Sequence, residues 1–415
     1  MANTKLFAAQ PPAGNSVTTD FFSYGFRPFF LGASIYAAVV MALWLAWIGI
    51  HAANASLTWI TISGAPHIWH AHEMIFGFGL AALSGFLLTA IPNWTGAVPL
   101  ANQPLMTLFA LWVVGRLAML FSAFIPPAIV AALDLVFIPA LGLHVAHQLF
   151  VRPQPRNMIF LALLGTLFIA NIGYHLSAAN VVDINPGSSL RAGVLILTLL
   201  IVIIGGRIVP AFTHSYLQGI TPAGKAPLRS ALIDRAALIT TLIFAVLAIF
   251  SPYETIVAVA AGAAALANGA RLAGWRGLAT LSNPLVAVLH VGYLWIVIGL
   301  AVWCLADTTG LISEVSALHA MSTGAVGTMV LAVMSRASLG HTGRPLIAPA
   351  PVTLSYVMVS LAAILRTFGV AIAPMHYNTV MLASGLLWIA AFASFAVVYF
   401  PILTGPRLTR TSLQT

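Results

Sequence analysis

The stretch PHIWHAHEMIFGFG, Pro66–Gly79, holds His67, His70, His72 and Glu73 at the start of a long apolar run. Neutral imidazole is the commonest metal ligand among side chains and suits iron, copper and zinc. Two residues along a helix turn the side chain through about 200°. His70 and His72 are therefore expected on nearly opposite faces, so one helix could serve a metal on each side. Glu73 follows His70 by three positions and is expected roughly on its face. There it would order a ligand by hydrogen bonding or carry protons. An interhelical salt bridge is the plainer alternative for Glu73, as boundary placement is for His67.

Three further stretches carry polar groups in apolar surroundings. In GGRIVPAFTHSYL, Gly205–Leu217, the planar fork of Arg207 could pair with a carboxylate, a haem propionate included, or simply anchor a basic face; Pro210 is expected to kink or end its helix. In LHAMSTGAVGTMVLAVMSRASLGHTGRPL, Leu318–Leu346, His319 and Thr323 share a helical face, and Arg336, His341 and Arg344 gather at the far end. LHVGYLWIVIGL, Leu289–Leu300, sets His290 beside Tyr293, so His290 and His341 could form a second, inner metal site. A lone membrane histidine is more often a hydrogen-bonded interhelical residue, because polar groups at membrane depth turn toward the bundle interior. Cys304, the one cysteine, excludes a disulfide within the chain and any cysteine-built cluster or zinc site.

These residues must be positioned by helices. The 415 residues are 60% hydrophobic and 6% charged, where a soluble domain carries about 25% charged residues. A membrane-spanning helix needs about 20 apolar residues. Roughly twelve such runs appear, near 29–50, 67–91, 104–123, 127–149, 157–177, 191–212, 231–250, 254–273, 284–306, 315–336, 351–371 and 378–402. The expected fold is all-α: a polytopic membrane domain over 26–405, flanked by cytoplasmic segments 1–25 and 406–415.

The net charge of +9 does not point to nucleic acid, because its placement follows the membrane. Arg152, Arg156, Lys225, Arg229, Arg235, Arg271, Arg276, Arg336, Arg344, Arg407 and Arg410 border one set of loops. Asp183, Glu254, Asp307 and Glu314 border the other, with Arg191 as the exception. The excess of positive residues toward the cytoplasm places both termini there. His70, His72 and His319 then share the outer depth, and His290 and His341 the inner one.

Together with GFRPFFLG at Gly25–Gly32 and GFLLTAIPNWTG at Gly85–Gly96, these stretches resemble the NnrS family; WHAHEM and LGHTGR are the most specific strings. The resemblance runs from the first helix through the tenth. It implies a twelve-helix protein of the bacterial inner membrane that contains haem and copper and takes part in nitric oxide metabolism or resistance. The family pattern falls on His70, His72, Glu73, Arg207, His290, His319, Arg336, His341 and Arg344, and leaves out His67 and His214. The leading expectation is reduction of nitric oxide to nitrous oxide at an intramembrane metal site held by His70, His72 and His319. Glu73 would relay protons or fix a ligand, and electrons would come from quinol or an external cytochrome. The alternatives are a protein that binds nitric oxide without turnover and a transporter of a metal or small solute.

Overall fold

The computed structural model describes residues 20–55, 61–220 and 226–408. Most of segments 1–25 and 406–415, with Lys225 and Arg410, lies outside the described residues. Twelve helices are long and apolar enough to cross a membrane. They are α1 (Phe26–Ala52), α2 (Pro66–Thr95), α3 (Asn102–Leu120), α4 (Pro127–Val151), α5 (Pro155–Ala178), α6 (Pro186–Ile220), α7 (Ala231–Phe250), α8 (Glu254–Gly274), α9 (Pro284–Thr309), α10 (Glu314–His341), α11 (Ala350–Ile372) and α12 (Pro374–Thr404). No strand occurs among the described residues. Helices are what lipid demands, since each backbone polar group must be satisfied within its own segment.

Local chemistry sets many boundaries. Pro66, Pro127, Pro155 and Pro284 open α2, α4, α5 and α9, where a missing N–H costs nothing. Pro210, expected to end or kink α6, does not end it: α6, 35 residues long in all, runs on past it to Ile220. Membrane helices tolerate proline where neighbouring groups satisfy the freed backbone. The buried hydroxyls of Ser84, Thr89, Thr198 and Thr213 donate to the carbonyl four residues back, so these four add no unpaired polar group.

The bundle has a centre and a rim. In α2, 78% of the most apolar stretch is buried within the protein, against 28% in α7, which places α2 inside and α7 toward lipid. The inner helices meet through small residues. A Cβ on Gly77 would lie 2.5 Å from a ring carbon of Tyr36, so the contact between α1 and α2 requires glycine there. Arg27 at the start of α1 donates to the carbonyls of Leu403 (3.0 Å) and Gly405 (2.6 Å) at the end of α12. Those bonds hold the first and last spans together at one end of the bundle.

At the opposite end, three helices widen. An i→i+5 turn runs over Glu73–Gly79 in α2, over Ala320–Gly327 in α10 and over Leu365–Gly369 in α11. Such π-turns are rare and concentrate at functional sites. His72 immediately precedes the first, His319 immediately precedes the second, and Arg366 lies in the third.

Candidate functional site

The ring of His70 turns toward α1. It stacks on Trp44 at 5.0 Å, and Trp44, Trp47 and His51 continue the stack at 5.2 and 5.3 Å. The Nδ1 of His70 is buried and has no hydrogen-bond partner. Across the bundle, His319 donates from Nδ1 to the Val315 carbonyl (2.7 Å). That bond fixes the tautomer and leaves the Nε2 lone pair for another partner. Arg366 acts electrostatically on both imidazoles, and His70 on His319, so α2, α10 and α11 bring the three together. The Nε of Arg366 and the hydroxyl of Thr367 are also buried without partners. Two imidazoles with nitrogens to spare and a guanidinium are groups that could hold a haem, at its iron and at a propionate.

The ring of His72 turns the other way, against Tyr174 of α5 at 4.2 Å, and enters a buried ionic network. Its Nδ1 lies 2.7 Å from Glu73 Oε1, and its Nε2 lies 2.9 Å from Asn171 Oδ1 and 3.4 Å from Asp134 Oδ2. Arg116 of α3 donates from Nη1 to both Glu73 oxygens at 2.8 Å and from Nη2 to Asp134 Oδ1. Tyr36 donates its hydroxyl to Glu73 Oε2. Asn171 Nδ2 and His175 Nε2 each lie 2.8 Å from Asp134 Oδ2. Glu73 and Asp134 are completely buried, and buried charges persist only when paired. Five helices, α1 to α5, each contribute a member.

Glu73 thus departs from the expected face. Its rotation stands between those of His70 and His72, and its long side chain can reach either way. Arg116 and Tyr36 lie on the His72 side and draw it there, and the π-turn that begins at Glu73 breaks the regular helical register.

The remaining candidates lie toward the end that carries the termini and are spread apart. Arg207 donates to Asn157 Oδ1 (3.2 Å) and to the Arg156 carbonyl (2.8 Å). His290 contacts the Val286 carbonyl (3.1 Å) and Thr213 Oγ1 (3.3 Å). His341 packs against Tyr24 and Phe26 at 5.8 and 5.6 Å. Burial pushes the Tyr24 phenol up to about 12, which keeps that ring neutral beside His341. Arg336 lies 4.0 Å over the Phe212 ring, and one guanidinium nitrogen of Arg344 is buried without a partner. His290 and His341 keep separate neighbours, so the structure does not join them into one inner site. Between the two ends, an apolar cleft opens among α2, α6 and α10, lined by Gly79, Leu83, Leu197, Val326 and Val330. Gly79 and Val326 belong to the far ends of the π-turns of α2 and α10.

Comparison with known families settles the lineage, because a family described as NnrS protein matches residues 20–407. The chain belongs to the NnrS family. No curated protein matches it. Family membership and the twelve spans make it an integral membrane protein. In this NnrS chain, Arg116, Asp134, Asn171, His175 and Arg366 escaped attention in the sequence as candidates for the site. A signal existed for the charged ones: Arg116, Asp134 and Arg366 interrupt apolar runs, where an ionisable residue is costly unless paired or functional.

Proposed function

We propose that this NnrS-family chain is a haem protein of the bacterial inner membrane that reduces nitric oxide to nitrous oxide. The observation that carries it is the convergence of His70, His319 and Arg366, the last two on or beside π-turns and His70 one helical turn before a third, with ring nitrogens left unpartnered. His70 and His319 would hold a b-type haem, and Arg366 would meet a propionate. When bound, the haem, with copper as its expected companion, supplies the redox chemistry that joins two nitric oxide molecules with two electrons and two protons into nitrous oxide and water. The electrons come from quinol or an external cytochrome.

The chain's own residues do the rest. Trp44 stacks on His70 and fixes its ring plane. The Val315 carbonyl holds the His319 tautomer with Nε2 free. Glu73, tied to Arg116 and Tyr36, anchors α2 just below His70. Nitric oxide is small, neutral and lipid-soluble, so the apolar cleft between α2, α6 and α10 suffices as its approach. Arg207, His290, Arg336, His341 and Arg344 are left to packing and basic-face anchoring at the other end.

Purified protein in detergent, given an artificial electron donor, is expected to consume nitric oxide and release nitrous oxide. His70→Ala and His319→Ala are each expected to lose haem absorbance, and full haem retention in both refutes the ligand assignment. Stoichiometric uptake of nitric oxide without nitrous oxide would instead establish the binding protein. Solute flux in proteoliposomes, with neither uptake nor turnover, would establish the transporter.

A further inference from the structure

We infer that His72, Asp134 and His175 form a separate site for one divalent first-row transition-metal ion, of the copper, iron or zinc class. Each residue offers one ligand atom, and the three atoms lie within 4.8 Å of one another. Bonds of about 2.0–2.2 Å from nitrogen and oxygen to such an ion can be made across that span with small side-chain adjustments. They come from three helices, α4, α5 and α2, so the triad exists only in the folded bundle.

Hydrogen-bond accounting shows that the site needs a positive centre. Asn171 donates from Nδ2 to Asp134 Oδ2, which turns its Oδ1 toward His72 Nε2. His72 Nδ1 faces the Glu73 carboxylate. Both ring nitrogens therefore face oxygen acceptors, and a neutral imidazole carries only one N–H. One lone pair would oppose another unless a proton or a metal ion lies between them. The charges agree: Glu73 and Asp134 carry two negative charges against one positive charge on Arg116.

Three features favour the metal over the proton. His72 Nε2 and His175 Nε2 both approach the same oxygen, Asp134 Oδ2, while Arg116 holds the other oxygen, as expected for a carboxylate that gives one atom to an ion. Glu73 lies on the far nitrogen of His72, which is the carboxylate–histidine–metal arrangement that orients ligating imidazoles. The ligand chemistry, two imidazoles and one carboxylate, suits copper, iron or zinc rather than magnesium or calcium, and three protein ligands leave a position open. His175 is only partly buried, so an ion has an approach from the bundle end.

Cobalt(II), whose d–d absorption reports its ligands, is the probe. Full-length protein is stripped with a chelator and titrated with cobalt. The wild type is expected to bind one equivalent. Asp134→Asn and His175→Ala are each expected to weaken binding more than about 100-fold. Glu73→Gln, which removes only the outer partner of His72, should weaken it about 10- to 100-fold. Haem content, read from the same samples, should be unchanged in His175→Ala. No cobalt uptake by the wild type, or wild-type affinity in both ligand variants, overturns the site. Should Asp134→Asn fail to fold, His175→Ala, at the edge of the network, carries the ligand test alone. One equivalent of cobalt in a wild-type protein that never contains haem would uphold this site and refute the haem proposal separately.

Discussion

Arg116→Met in chelated protein tests the ionic network most directly. The substitution keeps most of the stem and removes the charge. It deletes two 2.8 Å bonds to Glu73 and the bond to Asp134. Exposed ion pairs are worth about 0–1 kcal/mol, but that scale does not apply here. The side chains are 6% exposed for Arg116 and 0% for Glu73 and Asp134. Breaking a buried pair by removing one partner costs about 3–5 kcal/mol, because the other charge stays behind uncompensated. At 1.4 kcal/mol per factor of ten, the folded population falls by about 10²- to 10⁴-fold relative to the unfolded one. The sign of a second substitution is more telling. Adding Asp134→Asn removes one of the two stranded carboxylates and leaves a single one, Glu73. The double variant is therefore expected to regain about 2 kcal/mol, a coupling within the range for groups in one network. The assay is reversible unfolding in mixed micelles of the wild type, both single variants and the double. Additive losses, or a loss under about 1 kcal/mol for Arg116→Met alone, would refute the reasoning.

Two further outcomes follow from close packing and capping. Gly206→Ala is expected to destabilise by about 1–3 kcal/mol through overpacking, since a Cβ there would overlap the Arg271 guanidinium, which is bonded to Asp234 (2.6 Å), the Val202 carbonyl (2.8 Å) and Tyr293 (3.0 Å). Gly165→Ala, on α5 with nothing within 4 Å of the new Cβ, is the control and should be neutral or stabilising by up to about 1 kcal/mol; equal effects at both positions contradict the packing argument. Arg27→Met removes charged bonds to the Leu403 and Gly405 carbonyls, worth about 1.5–3 kcal/mol each. Faster hydrogen exchange confined to the ends of α1 and α12 is expected, and unchanged exchange there counts against the capping role.

The helices were legible from the start because their cause is one-dimensional. A run of about 20 apolar residues must become a helix in lipid whatever surrounds it. Each expected run lies along one of the twelve spans, with ends shifted by several residues at most except where α6 continues past Pro210. The sequence also singled out His70, His72, Glu73 and His319, because polar groups stand out against an apolar background.

What periodicity could not decide was which neighbour each side chain meets. Glu73 stood within reach of either His70 or His72, and the choice was made by Arg116 and Tyr36, side chains from two other helices. His175 gained its place only when α4 brought Asp134 against it, and Arg366 only when α11 packed beside α10. A buried charge is stabilised by the partner that tertiary packing supplies, and that partner lies tens to hundreds of residues away along the chain. Helix formation is local and so is encoded locally, whereas the constellation at the bundle end is a property of twelve helices packed together.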